Sequence, residues 1–166
     1  MTLRAGNMNE GVIVRTARRS DRVQAAKLWT EMIDYHARIS TIDFRRVRDA
    51  RRIWMRFFDR HVGSRTKKAW VAERGGRIVG LVMGSIEKRP PVFRVKHRGH
   101  LEEMAVTASE RRRGIGSRLL KEWLAWARTK GVPYVTLEAV PENRIGVPFW
   151  KNNGFRTIMI SMRRRL

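Results

Sequence analysis

The stretch from His100 to Arg118, HLEEMAVTASERRRGIGSR, limits what this chain can fold into more than any other. It reads as a strand, a short turn carrying Arg111, Arg112 and Arg113, and then Gly114-Ile115-Gly116-Ser117 opening a helix. A helix start presents unpaired backbone N–H groups and the positive end of the helix dipole. Glycines there let a phosphate reach the main chain, and neighbouring arginines add charge-assisted hydrogen bonds. The stretch therefore suits a diphosphate cradle. An ordinary strand-to-helix connection with solvated arginines gives the same local pattern, and local sequence alone leaves both readings open.

The rest of the chain places this unit in a mixed sheet with helices on it. At 166 residues the length fits one domain with a real core. Residues 1–11 carry no periodic pattern and are expected to be a flexible extension, with a single domain over 12–166. A β-rich run at Val12–Thr16 is followed by a helix capped by Ser20 or Asp21, its apolar positions including Val23, Ala26, Trp29, Met32, Ile33 and His36. A second helix is expected after Thr41 or Asp43, continuing to about Val62. Along it Phe44, Val47, Trp54, Phe57, Phe58 and Val62 fall on one arc, and Arg45, Arg48, Arg52, Arg56 and Arg60 on the other. Arg51 projects among the apolar positions and needs either a carboxylate of the fold or an anionic substrate.

A hairpin turning at Gly75-Gly76 comes next, with Gly80 and Gly84 marking a bulge or close packing in its second arm. Lys88-Arg-Pro-Pro91 breaks the run before the central strand His100–Thr107. The following helix buries Leu119, Leu120, Trp123, Leu124 and Ala127 and ends at Gly131. Tyr134–Val140 is a β-branched strand, Pro141–Asn143 starts a short helix, and Phe155–Met162 is expected to be a last strand. The order is β-α-α-β-β-β-α-β-α-β, an α/β (α+β) class with a mixed, mostly antiparallel sheet.

Composition narrows the chemistry. There is no cysteine, which excludes disulfides, thiolate zinc sites and a cysteine nucleophile within the chain. No metal site is expected. No apolar run approaches a membrane span, and charges interrupt the first residues before a signal-peptide core can form, so no membrane role and a cytoplasmic location are expected. Lys plus Arg number 37 against 15 Asp plus Glu, a net charge of +22. Such a field attracts nucleic acid, phosphorylated cofactors or acidic proteins, and repels a polycationic acceptor.

The element order, with Arg111-x-x-Gly114-x-Gly116 after the fourth strand, resembles the GNAT (GCN5-related) N-acetyltransferases. A second signature of that family, an Asn followed seven residues later by an aromatic and then Gly-Phe, stands here as Asn143…Trp150-Lys-Asn-Asn-Gly154-Phe155. The likeness covers about residues 12–162. It implies the GNAT fold and acetyl-CoA as donor. Backbone groups of Met104, Ala105 and Val106 would pair with the pantetheine arm, and amides from Arg111 through Ser117 would hold the pyrophosphate. Asn143 would line the thioester end of the cofactor. Members of the family are often dimers, so a homodimer is a possible assembly.

Such chemistry needs an amine made neutral and a carbonyl attacked, without an enzyme nucleophile. In this family the base usually lies on the central strand before Met-Ala-Val. Strand alternation puts His100, Glu102 and Met104 on one face and Glu103 on the other. Glu102 leads as candidate base, with Glu103 and His100 behind it; ion-paired carboxylates are the structural alternative. The family often has Tyr where Trp150 stands, and that hydroxyl is commonly the acid for the departing thiolate. An indole has no titratable proton near neutral pH, so the general acid is unassigned. The expected activity is direct acetyl transfer to a primary amine, on a small molecule or a protein, in a ternary complex. The alternative is a basic RNA- or ribosome-associated module that keeps the fold without catalysis.

Overall fold

The structure is a computed structural model and describes residues 11–164. Most of the expected N-terminal extension lies outside the described residues. A five-stranded sheet runs in the order β1 (Val12–Thr16), β2 (Lys67–Arg74), β3 (Arg77–Lys88), β4 (His97–Val106) and β5 (Val135–Leu137). Neighbours are antiparallel except β4 and β5, which run parallel. Between β1 and β2 lie α1 (Arg22–Ile39), α2 (Thr41–Phe44) and α3 (Ala50–Asp59). Helix α4 (Ile115–Thr129) makes the crossover from β4 to β5, and α5 (Gly146–Asn152) follows β5.

Strand alternation divides the core in two. Val71, Leu81 and Met83 meet Ala25, Ala26, Trp29, Trp54 and Phe58 of α1 and α3. On the opposite face Trp70, Ala72, Val82 and Leu101 meet Ile115, Leu119, Leu120 and Trp123 of α4. The α4 stripe is the one its sequence spacing predicts. The Gly75-Gly76 turn is also as predicted, both residues having positive φ. Gly80 and Gly84 mark close packing: a Cβ on Gly84 would sit 2.3 Å from the His100 carbonyl oxygen and 2.7 Å from Trp123.

Several expectations fail, among them the Tyr134–Val140 strand, which covers only Val135–Leu137, and the start of the following helix, which begins at Gly146. The second helix is broken: α2 stops at Phe44 and α3 starts only at Ala50, with Arg45 extended between them. The wheel drawn through 41–62 as one helix therefore loses its phase, and Val47 is exposed. Arg51 is exposed too, and its guanidinium donates to the Val23 carbonyl at 3.2 Å, not to a carboxylate. In the first helix, Val23 faces solvent and Ala25 and Leu28 are buried in its place. Finally, Phe155–Met162 is not a strand. These residues run as irregular chain with Ile158, Met159, Ile160 and Met162 exposed, and Arg163 pairs with Asp43 of α2. β-propensity reports fit to a half-buried sheet surface, and no strand among the described residues pairs with this segment.

Candidate active site

β4 carries the site because of how its two edges are paired. Along β5 the pairing covers only Gly99, His100 and Leu101. From Glu102 to Val106 that edge has no strand partner among the described residues. A strand edge of this kind offers unpaired N–H and C=O groups, and here it includes Met104, Ala105 and Val106. The chain then turns through Ala108–Glu110 into the N-terminus of α4, capped by Gly114 at φ +74°.

The turn is held from the α1 side. Glu31 accepts hydrogen bonds from the Thr107 hydroxyl (2.9 Å) and the Ala108 amide (2.7 Å), and pairs with Arg111 at 3.4 Å. Arg111 also donates to the Val106 carbonyl. Glu110 pairs with Arg74 and Arg113. Of the three arginines in the turn, only Arg112 forms no ion pair among the described residues. It is exposed and holds a left-handed φ of +61°, a conformation of the kind that forms anion-binding nests with neighbouring amides. Gly116 lies under α5, where a Cβ would meet Phe149 at 3.2 Å and Met104 at 3.3 Å.

The other edge of β4 is bulged. Met83 of β3 opposes Glu103, and Gly84 opposes Leu101, so Glu102 is the extra residue. The bulge changes the alternation that the sequence implies. Glu103 opposes Met83, which packs under α1 and α3, and Glu102 reaches Ser85 and His61 on that same side. Met104 packs with the α4 cluster instead. The face expected to carry His100, Glu102 and Met104 carries His100, Glu102 and Glu103.

The two carboxylates have opposite surroundings. Glu102 accepts from Ser85 Oγ at 2.5 Å and from His61 Nε2 at 2.8 Å. The other ring nitrogen of His61, Nδ1, lies 3.0 Å from the Phe57 carbonyl. The buried ring thus bridges the Phe57 carbonyl and the Glu102 carboxylate. Burial opposes ionisation of Glu102, but the bonds from His61 and Ser85 and the charges of His61 and Lys67 hold its carboxyl below the usual carboxylate range.

Glu103 has no such cation. The residue is half-buried, and protein atoms enclose its carboxyl. Burial raises its pKa to about 7, with the Glu102 charge adding to the rise. The buried indole N–H groups of Trp54 and Trp29 oppose it. Neither reaches full hydrogen-bond geometry with a partner, but both act on the Glu103 carboxyl and favour its charged form. The two rings stack with centroids 5.4 Å apart. His100 is set by β5: its Nδ1 lies 3.2 Å from Thr136 Oγ1, which in turn donates to the Gly99 carbonyl.

Asn143 and Trp150 have structural partners. Asn143 is buried, its Oδ1 accepts from the amides of Ile145 and Gly146, and its Nδ2 donates to His36 Nε2 at 3.0 Å. It thus caps α5 and ties that helix to α1, leaving one amide hydrogen for any cofactor. Trp150 packs edge-to-face between Phe149 and Phe155 in the α4-side cluster. His61, Ser85, Trp29 and Trp54 were not site candidates from sequence. The signal for them was indirect, since two adjacent acids in a core strand require donors from elsewhere.

The site thus joins a strand with one open edge, a glycine-capped helix N-terminus and a carboxyl whose pKa burial raises to about 7. The chain belongs to the acetyltransferase (GNAT) family, whose pattern it matches over residues 28–155. It is 32% identical over 87 residues to the mouse probable N-acetyltransferase family 8 member 5 and to mouse N-acetyltransferase 8F1. These matches take in 52% of this chain and 37–38% of the relatives, so the shared region is well under half of their length. Solved structures share the fold at lower identity. A mutant Bacillus halodurans protein superposes with a TM-score of 0.84 at 18% identity, covering 93% of this chain and 99% of that one. A predicted acetyltransferase of Clostridium acetobutylicum, solved with acetyl-CoA, gives 0.74 at 18% identity over 93% and 96%. The aminoglycoside N-acetyltransferase AAC(6′)-Iy with CoA gives 0.73 at 18% over 93% and 94%. Among the described residues no helix is long and apolar enough to cross a membrane.

Proposed function

We propose that the protein transfers the acetyl group of acetyl-CoA directly to a primary amine, with Glu103 as the general base. The observation that carries this reading is the half-paired β4. Its open edge from Glu102 to Val106 leads through the Ala108–Glu110 turn to the α4 N-terminus, so one ligand can follow the strand edge and end its phosphates on helix amides. Backbone groups of Met104, Ala105 and Val106 suit the amide-bearing pantetheine arm. The amides from Arg111 to Ser117, with the Arg112 guanidinium, suit the pyrophosphate.

Glu103 takes a proton from the acceptor ammonium, and the neutral amine attacks the thioester carbonyl. The tetrahedral intermediate collapses with cleavage of the C–S bond. The departing thiolate is protonated, and the balance is one proton released to solvent for each amide formed. Glu102 is committed to His61 and Ser85 and is less suited to accept a proton, because its charged form is already the favoured one. Its charge instead keeps Glu103 basic. Trp150 is enclosed by aromatic rings and supplies no acid; solvent protonates the weakly basic thiolate. The cofactor's part is the activated thioester; the chain supplies position, charge and a proton acceptor. Release of CoA on mixing acetyl-CoA with an amine panel, read with a thiol reagent in a chain that has no thiol of its own, tests this directly. Release that depends on amine and on Glu103 supports it; release without an amine refutes it.

A further inference from the structure

Two adjoining clefts lie between α1 and the α2–α3 segment. The first, of about 410 Å3, is walled by Trp29, Ile33, Trp54 and Phe57. Its two tryptophans are those whose indoles act on Glu103. The second, of about 610 Å3, shares Arg46, Val47 and Ala50 with the first and is lined by Lys27, Arg45, Arg48 and Arg51 together with Asp34. Asp34 pairs with Arg46. Lys27, Arg45 and Arg48 form no ion pair among the described residues, and Arg51 reaches only a backbone carbonyl.

We propose that the acceptor amine belongs to an acidic peptide segment, whose carboxylates dock on Lys27, Arg45, Arg48 and Arg51 in this second cleft. The inference rests on the acetyltransferase reading above and assigns its acceptor class. Four cations facing one concave surface repel each other and are stabilised by an anion. The cleft already shows the favoured pairing once, in Asp34 with Arg46. No aromatic side chain lines it, so it lacks the stacking platform that single-stranded nucleic acid uses. The aromatic cleft in between takes an apolar side chain near the amine. Ala50 and Trp54 are one turn apart on α3, about 6 Å. An extended peptide advances about 3.3 Å per residue, which places the acidic side chains from about two residues beyond the reactive amine.

The test uses two peptides with free amino termini and a C-terminal fluorophore, identical except that three glutamates at positions three to five are glutamines in the second. Fluorescence anisotropy on the full chain needs no acetyl transfer. The acidic peptide is expected to bind about 10-fold tighter at low salt, with the preference shrinking as salt rises. In Arg45→Ala/Arg48→Ala its affinity falls about 3- to 10-fold, towards that of the glutamine peptide, which is unaffected. Lys27→Ala, on a different element, gives a second and smaller loss should the double variant fold poorly. In the coupled CoA-release assay kcat/KM follows the same order. Equal affinity for both peptides, a preference that survives the double variant, or tighter arginine-dependent binding of a single-stranded RNA would overturn the proposal. Failure of acetyl-CoA to bind would instead undo the acetyltransferase reading, and the anisotropy result would still report on the cleft.

Discussion

Replacing Glu103 with glutamine separates the two consequences of burying a carboxylate without a cation. Its pKa stands at about 7 in the fold, against about 4.3 in an unfolded chain. That difference of roughly 2.7 units is worth at most about 3.7 kcal/mol, less whatever the solvent-open part of the side chain screens. The folded value is the raised one. The stabilising contribution of the protonated group is therefore fully present below about pH 4.3 and is lost as pH rises through about 7. Glu103→Gln keeps an acceptor for the two indoles but never ionises. Its melting temperature relative to the parent should therefore improve between pH 5 and pH 8, by about 2–4 °C for each kcal/mol recovered. Other carboxylates titrate in both proteins and cancel in the difference. Activity moves the opposite way: loss of a general base lowers kcat/KM about 100- to 10,000-fold. The ascending limb of the parent pH profile, with an apparent pKa near 7, disappears. Near-parental kcat/KM in the variant, or no relative stabilisation at pH 8, would refute the role given to Glu103.

Other variants probe the supports of the site. His61→Gln removes the buried ring that pairs with Glu102 and should destabilise the fold by about 3 kcal/mol, the low end for a broken buried pair because Glu102 is partly exposed. Adding Glu102→Gln should restore part of that loss in thermal melts; strictly additive losses would mean the pair is not coupled. Gly84→Ala drives a methyl into the His100 carbonyl, a backbone atom that cannot swing aside. Destabilisation at or above the upper end of the about 1–3 kcal/mol typical of overpacking is expected, together with lost activity. Trp150→Tyr should leave kcat/KM within about threefold, since the ring's role is packing; a tenfold or greater gain would mean that a hydroxyl there serves as the missing acid.

Local signals carried most of the architecture. The Gly75-Gly76 hairpin, the Leu119–Trp123–Ala127 stripe of α4 and the strand-turn-helix around Gly114 all follow from turn chemistry and periodicity within a few residues. What sequence did not reveal depends on contacts between distant segments. The bulge at Glu102 is a property of the register between β3 and β4, and it alone brings Glu103 to the face that holds Glu102. His61 lies past the end of α3 with no periodic signature, so its pairing with Glu102, 41 residues on, is visible only in the fold. The break at Arg45–Asp49 reset the helical phase and moved Arg51 to a cleft wall. The tail at Ile158–Met162 has the composition of a strand but no neighbouring strand to pair with.

The proposed acetyl-CoA site joins the open edge of β4 to the α4 N-terminus. Isothermal titration of the full chain with acetyl-CoA, beside Gly116→Leu, measures this most directly. Saturable 1:1 binding by the parent is expected. In the variant, the side chain forced between Phe149 and Met104 should weaken binding at least tenfold while far-ultraviolet circular dichroism stays the same. No binding by the parent, or equal binding by a folded Gly116→Leu, would contradict it.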